Sequence, residues 1–138
     1  MKSRLPWISI TILAAASLCT LTLAAKTTTK PAPQLAHMVF FKLKDSGEKS
    51  RAAMIESCQK YLTGHPGTIS VSFGEIAEDV NEASSNRDFD IALHLVFADK
   101  AAAAAYQKSA RHSEFVEKNK SSFAKVQVFD SYLAADAK

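Results

Sequence analysis

Two stretches of this chain alternate with a period of two, and both carry large apolar groups on each side of the alternation. In residues 35–44, His37, Val39, Phe41 and Leu43 point one way while Met38, Phe40 and Lys42 point the other. In residues 89–97, Phe89, Ile91, Leu93, Leu95 and Phe97 form one face, with Ala92, His94 and Val96 on the second. A period of two is that of a strand, and a strand with apolar groups on both sides must be covered twice. Any fold for this chain therefore needs a sheet with helices on one face and something apolar on the other.

The remaining elements fall in between. Met54, Ile55, Cys58, Tyr61 and Leu62 recur at helical spacing, so residues 48–62 are predicted as an amphipathic helix, with Asp45 or Ser46 as its cap. Gly64-His65-Pro66-Gly67 ends it, with His65 expected at the surface. Ile69, Val71 and Phe73 make a further strand, with Gly74 marking a bulge. Residues 79–88 are polar and read as a loop. After the strongly alternating strand, Asp99 caps a helix through the alanine run 101–105, ending near Gln107. Those small side chains let the helix lie close to the sheet or leave space for a ligand. Ser109 caps another helix carrying His112, Phe115 and Val116, and residues 126–133 close the domain as a strand. The order β-α-β-β-α-β is that of the α+β ferredoxin-like fold, an antiparallel sheet with helices on one face. Met38, Phe40, His94, Val96 and Phe129 then lie on the uncovered face. An exposed apolar patch of that kind marks an interface, and two sheets packed face to face across a two-fold axis would cover it. The expected partner is a second copy of the chain.

The N-terminal 25 residues belong to a different class. Lys2 and Arg4 precede an apolar run over residues 8–23, and Leu23-Ala24-Ala25 offers small residues for cleavage. The run is shorter than the roughly 20 residues that span a bilayer. Residues 1–25 are thus expected to be a signal peptide and the protein to be exported, periplasmic or secreted, with membrane contact only if the segment is retained. Leu18 directly before Cys19 is too bulky for a lipoprotein signal. Residues 26–34 read as a flexible linker, 35–133 as the domain and 134–138 as a C-terminal tail. Without the leader, 15 basic residues face 14 acidic ones, so no basic stripe invites nucleic acid. Cys58 is then the sole thiol, and no internal disulfide can form. Four scattered histidines lack metal-ligand spacing, and no glycine-rich phosphate loop is present, so neither metal nor cofactor is expected.

The opening His37-Met38-Val39-Phe40-Phe41-Lys42-Leu43-Lys44, the run 89–97, Tyr106, Arg111-His112, Phe115 and the closing Val126-Gln127-Val128-Phe129-Asp130-Ser131-Tyr132 together resemble the stress-responsive dimeric α/β-barrel (Dabb) family. The resemblance implies a homodimeric barrel. In one branch, a plant polyketide cyclase, it implies a histidine base at the start of the late helix with a tyrosine nearby. His112 and Tyr106 match those positions, and His37 matches a further histidine on the first strand. Ile91 stands where that enzyme has another histidine, and Ser109-Ala110 replaces the family's frequent His-Pro, which argues against the same substrate.

The candidate residues follow. An imidazole exchanges protons near neutral pH, so His112 with Tyr106 is the candidate catalytic pair. The two converge only if the helix breaks near Ser109, since six residues on a continuous helix place them about 240° apart. Alternatively His112 bonds a backbone carbonyl and Tyr106 packs. His37, Phe41, Ile91, Leu93 and Phe115 are the expected wall of a pocket between sheet and helices, suited to a small apolar ligand. Asp90 and Asp130 read either as strand aspartates bonded to backbone or as an acid–base pair.

Overall fold

Burial along β1 (Leu35–Leu43) follows its sequence alternation: His37, Val39, Phe41 and Leu43 are buried, while Met38, Phe40 and Lys42 are half-buried. β1 is central because it pairs antiparallel on both sides, with β3 (Ile91–Phe97) and with β4 (Phe123–Tyr132). β2 (Thr68–Glu75) adds to the outer side of β3, giving the order β2-β3-β1-β4. The computed structural model describes residues 31–134. The expected signal peptide, part of the linker and most of the tail lie outside the described residues. Among the described residues three helices complete the fold: α1 (Glu48–Leu62), α2 (Lys100–Gln107) and α3 (Ala110–Asn119), the last followed by a 3-10 turn, Lys120–Ser122. The architecture is the expected four-stranded antiparallel ferredoxin-like one. Phe41, Leu93, Leu95 and Phe97 on the sheet meet Met54, Cys58, Leu62, Tyr106 and Phe115 from the helices in one core.

Local details depart from the sequence reading in instructive ways. α1 is preceded by Gly47 with no side-chain cap. Asp45 accepts instead from the Gly47 N–H at 2.9 Å and from the Ser50 hydroxyl at 2.6 Å, so it shapes the turn before the helix. Gly74 pairs in register with Ala92; the β2–β3 irregularity falls between Thr68 and Ser70. A second shift, between Lys42 and Leu43, marks the β1–β4 ladder. β3 starts at Ile91 because Asp90 is turned inward. Its carboxylate accepts from the Leu43 N–H at 2.7 Å and from Lys42 Nζ at 3.2 Å, pinning the end of β1. Burial works to raise the Asp90 pKa, but the hydrogen bonds from Leu43, Ser46 and Lys42 prevail and hold it below the ordinary carboxylate value. Asp90 is a structural carboxylate and has no contact with Asp130.

The expected caps at Asp99 and Ser109 are present: they accept from the N–H groups of Ala102 at 2.8 Å and His112 at 3.2 Å. Gly67 is demanded by geometry. Its φ is +78°, and a Cβ there would stand 2.5 Å from the Ala102 Cβ, so the small residues of the turn and of α2 allow their close approach. Cys58 is fully buried, and burial pushes its thiol up to about 12.

Candidate functional site

The break between α2 and α3 creates the site. The Ser109 N–H donates back to the Tyr106 carbonyl at 3.0 Å, closing α2, while the Ser109 side chain opens α3. Tyr106 at the end of one helix and His112 in the first turn of the next thereby come together, ring centroids 4.9 Å apart. Arg111 fixes the junction by donating to the Lys60 carbonyl at 2.7 Å, satisfying an end carbonyl of α1. The convergence expected from a break near Ser109 is thus present.

These rings border a cavity of about 410 Å³ between the sheet and the helices. His37, Val39, Phe41 and Leu93 form its sheet wall, Leu62, Phe115 and Val116 its helix wall, and Val126 and Val128 of β4 its outer side. Phe41 stacks on Phe123 at 5.0 Å and meets Phe115 at 5.9 Å. His37, Phe41, Leu93 and Phe115 stand where a pocket was expected. Ile91 does not: it faces the helices, as its parity requires, but lies wholly buried in the core between β1 and β2, off the cavity wall.

The polar groups on the cavity are His37, Tyr106, Gln107, His112 and Lys120. The His37 ring lies 6.2 Å from that of Tyr106, edge to face. Burial lowers the His112 pKa; a hydrogen bond with the Gln107 backbone opposes this, and the nearby His37 and His65 rings reinforce the lowering. Tyr106 is shifted upward, chiefly by burial and then by Cys58, and stays a neutral phenol.

The contacts of two residues escaped the sequence reading. His65, expected at the surface, is buried; its Nε2 lies 2.8 Å from the Tyr61 carbonyl and its ring packs 4.8 Å from Tyr106. The turn folds back under α2, which the exposed look of Gly-His-Pro-Gly concealed. Asp130 is the second. It pairs directly with His37 across β1 and β4, and its Oδ1 is 2.6 Å from His37 Nδ1. A carboxylate of this kind only accepts, so the contact assigns the proton to Nδ1 and leaves Nε2 as the lone-pair nitrogen of the neutral ring. The register of the first and last strands was the signal that could have found it.

On the opposite face, Phe40 gathers the rings of Phe89 at 5.0 Å, Phe129 at 5.9 Å and His94 at 6.0 Å. Phe89, expected on the helix-facing side with Ile91, lies here because it precedes the strand, which starts only at Ile91. Met38 and Val96 lie on the same side by register, and Phe129 is half exposed. Among the described residues, no group of three or more His, Cys, Asp or Glu side chains is placed to hold a metal ion. Among the same residues, no helix is long and apolar enough to cross a membrane.

Residues 35–133 match the model of the stress responsive A/B barrel domain, Dabb. The chain belongs to the Dabb family. No curated protein is a significant sequence match. Among solved structures, a Dabb protein with a ferredoxin-like fold from Mesorhizobium loti aligns with a TM-score of 0.62 at 21% identity, over 75% of this chain and 99% of that one. The hydroxynitrile lyase of Passiflora edulis aligns at 0.61 and 19% identity, over 79% of this chain and 100% of that one. A dimeric ferredoxin-like protein of Thermobifida fusca aligns at 0.61 and 15% identity, over 77% of this chain and 96% of that one. At these identities the likeness carries the fold alone. This Dabb chain thus shares its fold with proteins described as dimeric and with at least one enzyme.

Proposed function

We propose that this Dabb protein is an exported homodimer that holds a small, largely apolar molecule bearing one polar group. The observation that carries the ligand reading is the cavity itself: apolar walls with His37, Tyr106 and His112 grouped together, the usual composition of a small-molecule site. Self-association rests on the aromatic cluster around Phe40 and on the dimeric state of structural neighbours. Export rests on the character of residues 1–25.

Native mass spectrometry of the protein purified gently from its own host tests all three. A dimer lacking residues 1–25 and carrying a discrete extra mass is the expected result. An empty dimer removes the ligand, a monomer removes the two-fold barrel, and an intact N-terminus removes cleavage. Phe129→Asp should leave a folded monomer.

The meeting of Tyr106 and His112 favours a second reading, a cofactor-free enzyme of cyclase, isomerase or oxygenase type with His112 as base. The lyase neighbour supports it as an example of catalysis on this fold. Under that reading His112→Ala abolishes turnover while the dimer stays folded.

A further inference from the structure

The His37–Asp130 pair sits on a boundary between two spaces. His37 borders the apolar cavity, whereas Asp130 lines a separate groove of about 310 Å³ with Lys100, Ser131 and Tyr132. Gln107 borders both. The imidazole is buried, at 8% side-chain exposure, while its carboxylate partner is 52% exposed on the edge strand. The negative charge therefore stays hydrated, and the ring it orients is inside the apolar chamber. An uncompensated charge in such a chamber is costly. A proton can move there only where a counter-charge is already built in.

His37 is the one cavity imidazole with that provision. His112 has the neighbouring His37 and His65 rings as its electrostatic company, with a single hydrogen bond to the Gln107 backbone and no carboxylate among the groups acting on it. The β1–β4 ladder is complete through its backbone pairing on both sides of position 37, so the strands do not need this contact to find their register.

We infer that His37 and Asp130 form a proton-accepting pair that ionises a weakly acidic hydroxyl, such as that of a phenol or enol, on the molecule held in the cavity. The inference rests on the ligand reading above and moves the proton-accepting role from His112 to His37. In the step, the ligand O–H bond breaks and an N–H bond forms at His37 Nε2. The products are a ligand oxyanion and an imidazolium, the latter held by the Asp130 carboxylate through Nδ1–H. Asp130 itself keeps its charge and acts as a positioning residue.

The probe is 4-nitrophenol, whose anion has its own visible absorption band. It is titrated against the purified protein at a pH where the free probe is mostly neutral, with binding followed separately by calorimetry. The expected result is that wild-type protein converts bound probe to the anion. Asp130→Asn should still bind it but with an anion fraction lower by about tenfold, the size of effect a close counter-charge exerts. Asp88→Asn, which removes an equal charge from an exposed pair with Lys125, should keep the band. Probe that binds wild type yet stays neutral, or that ionises equally in Asp130→Asn, overturns the inference. Absence of binding overturns the ligand reading instead, and the pair is then decided without ligand by imidazole nitrogen NMR. Neutral His37 should carry its proton on Nδ1 in the wild type and revert to Nε2 in Asp130→Ala. A wild-type ring protonated on Nε2 overturns the pair.

Discussion

β2 and β4 are both edge strands, and each turns a pair of apolar side chains toward the helices. On β2, Val71 and Phe73 stand opposite Leu95 and Leu93; on β4, Val128 and Val126 stand opposite Val39 and Phe41. Their fates differ. Val71 and Phe73 pack against the core beneath α1, whereas Val126 and Val128 remain 44% and 48% exposed. Among the described residues, no helix packs substantially on β4. The cavity between sheet and helices has this less covered edge, Val126 and Val128, as one of its sides. Alternation in a sequence decides which face a residue takes, but coverage of that face depends on where helices end.

The contrast can be broken hardest at Phe115, a large helix side chain that belongs to both the core and the cavity wall. Phe115→Ala should cost about 3–5 kcal/mol, read by denaturant unfolding, and should abolish retention of the proposed ligand as well. Gly67→Ala on the sealed side combines a left-handed backbone with a clash on Ala102. A loss of about 2–3 kcal/mol is expected, along with displacement of α2 and its Tyr106. A matched pair of substitutions sharpens the comparison directly. Val71→Phe should overpack the covered edge at a cost of about 1–3 kcal/mol. Val128→Phe should fill the uncovered one, changing stability by no more than about 0.5 kcal/mol while eliminating binding of the proposed ligand.

Two titrations give the smallest effects. Asp90, on the sealed half, has a folded pKa below its ordinary 3.8. Its contribution is complete above that value and is lost as pH falls through the lower folded one. Asp90→Asn should flatten this acid limb. His112, beside the cavity, is likewise lowered from 6.5, so its neutral form is favoured by folding. Stability from this group is present above 6.5 and declines as pH falls toward the folded value. His112→Gln should remove that slope in melting curves taken across mildly acidic pH.

The fold was legible because its strongest signals are long-range in consequence yet local in sequence. The two-sided alternation of residues 35–44 and 89–97 demanded a central pair of strands, and the observed β1–β3 ladder is that pair. Caps at Asp99 and Ser109 were readable because a side-chain oxygen three residues ahead of a free N–H is a local arrangement. Asp45 misled for a related reason: a carboxylate near a helix start can serve the turn as well as the helix. The site was legible only in part. The Tyr106–His112 approach followed from one helix break, but the His37–Asp130 contact spans 93 positions and depends on a register that no local pattern encodes. Ile91 shows the same limit, since its face was readable and its distance from the cavity was not.

Cys58 turns the buried centre into its own reporter. A thiol with no exposed surface and a pKa pushed up to about 12 scarcely reacts while the core is closed. Alkylation must wait for the molecule to open, so the labelling rate at high reagent measures how often α1 lifts from the sheet. In a protein of residues 26–138 Cys58 is the only cysteine, so that clock then runs on a single hand, without a second thiol to blur it.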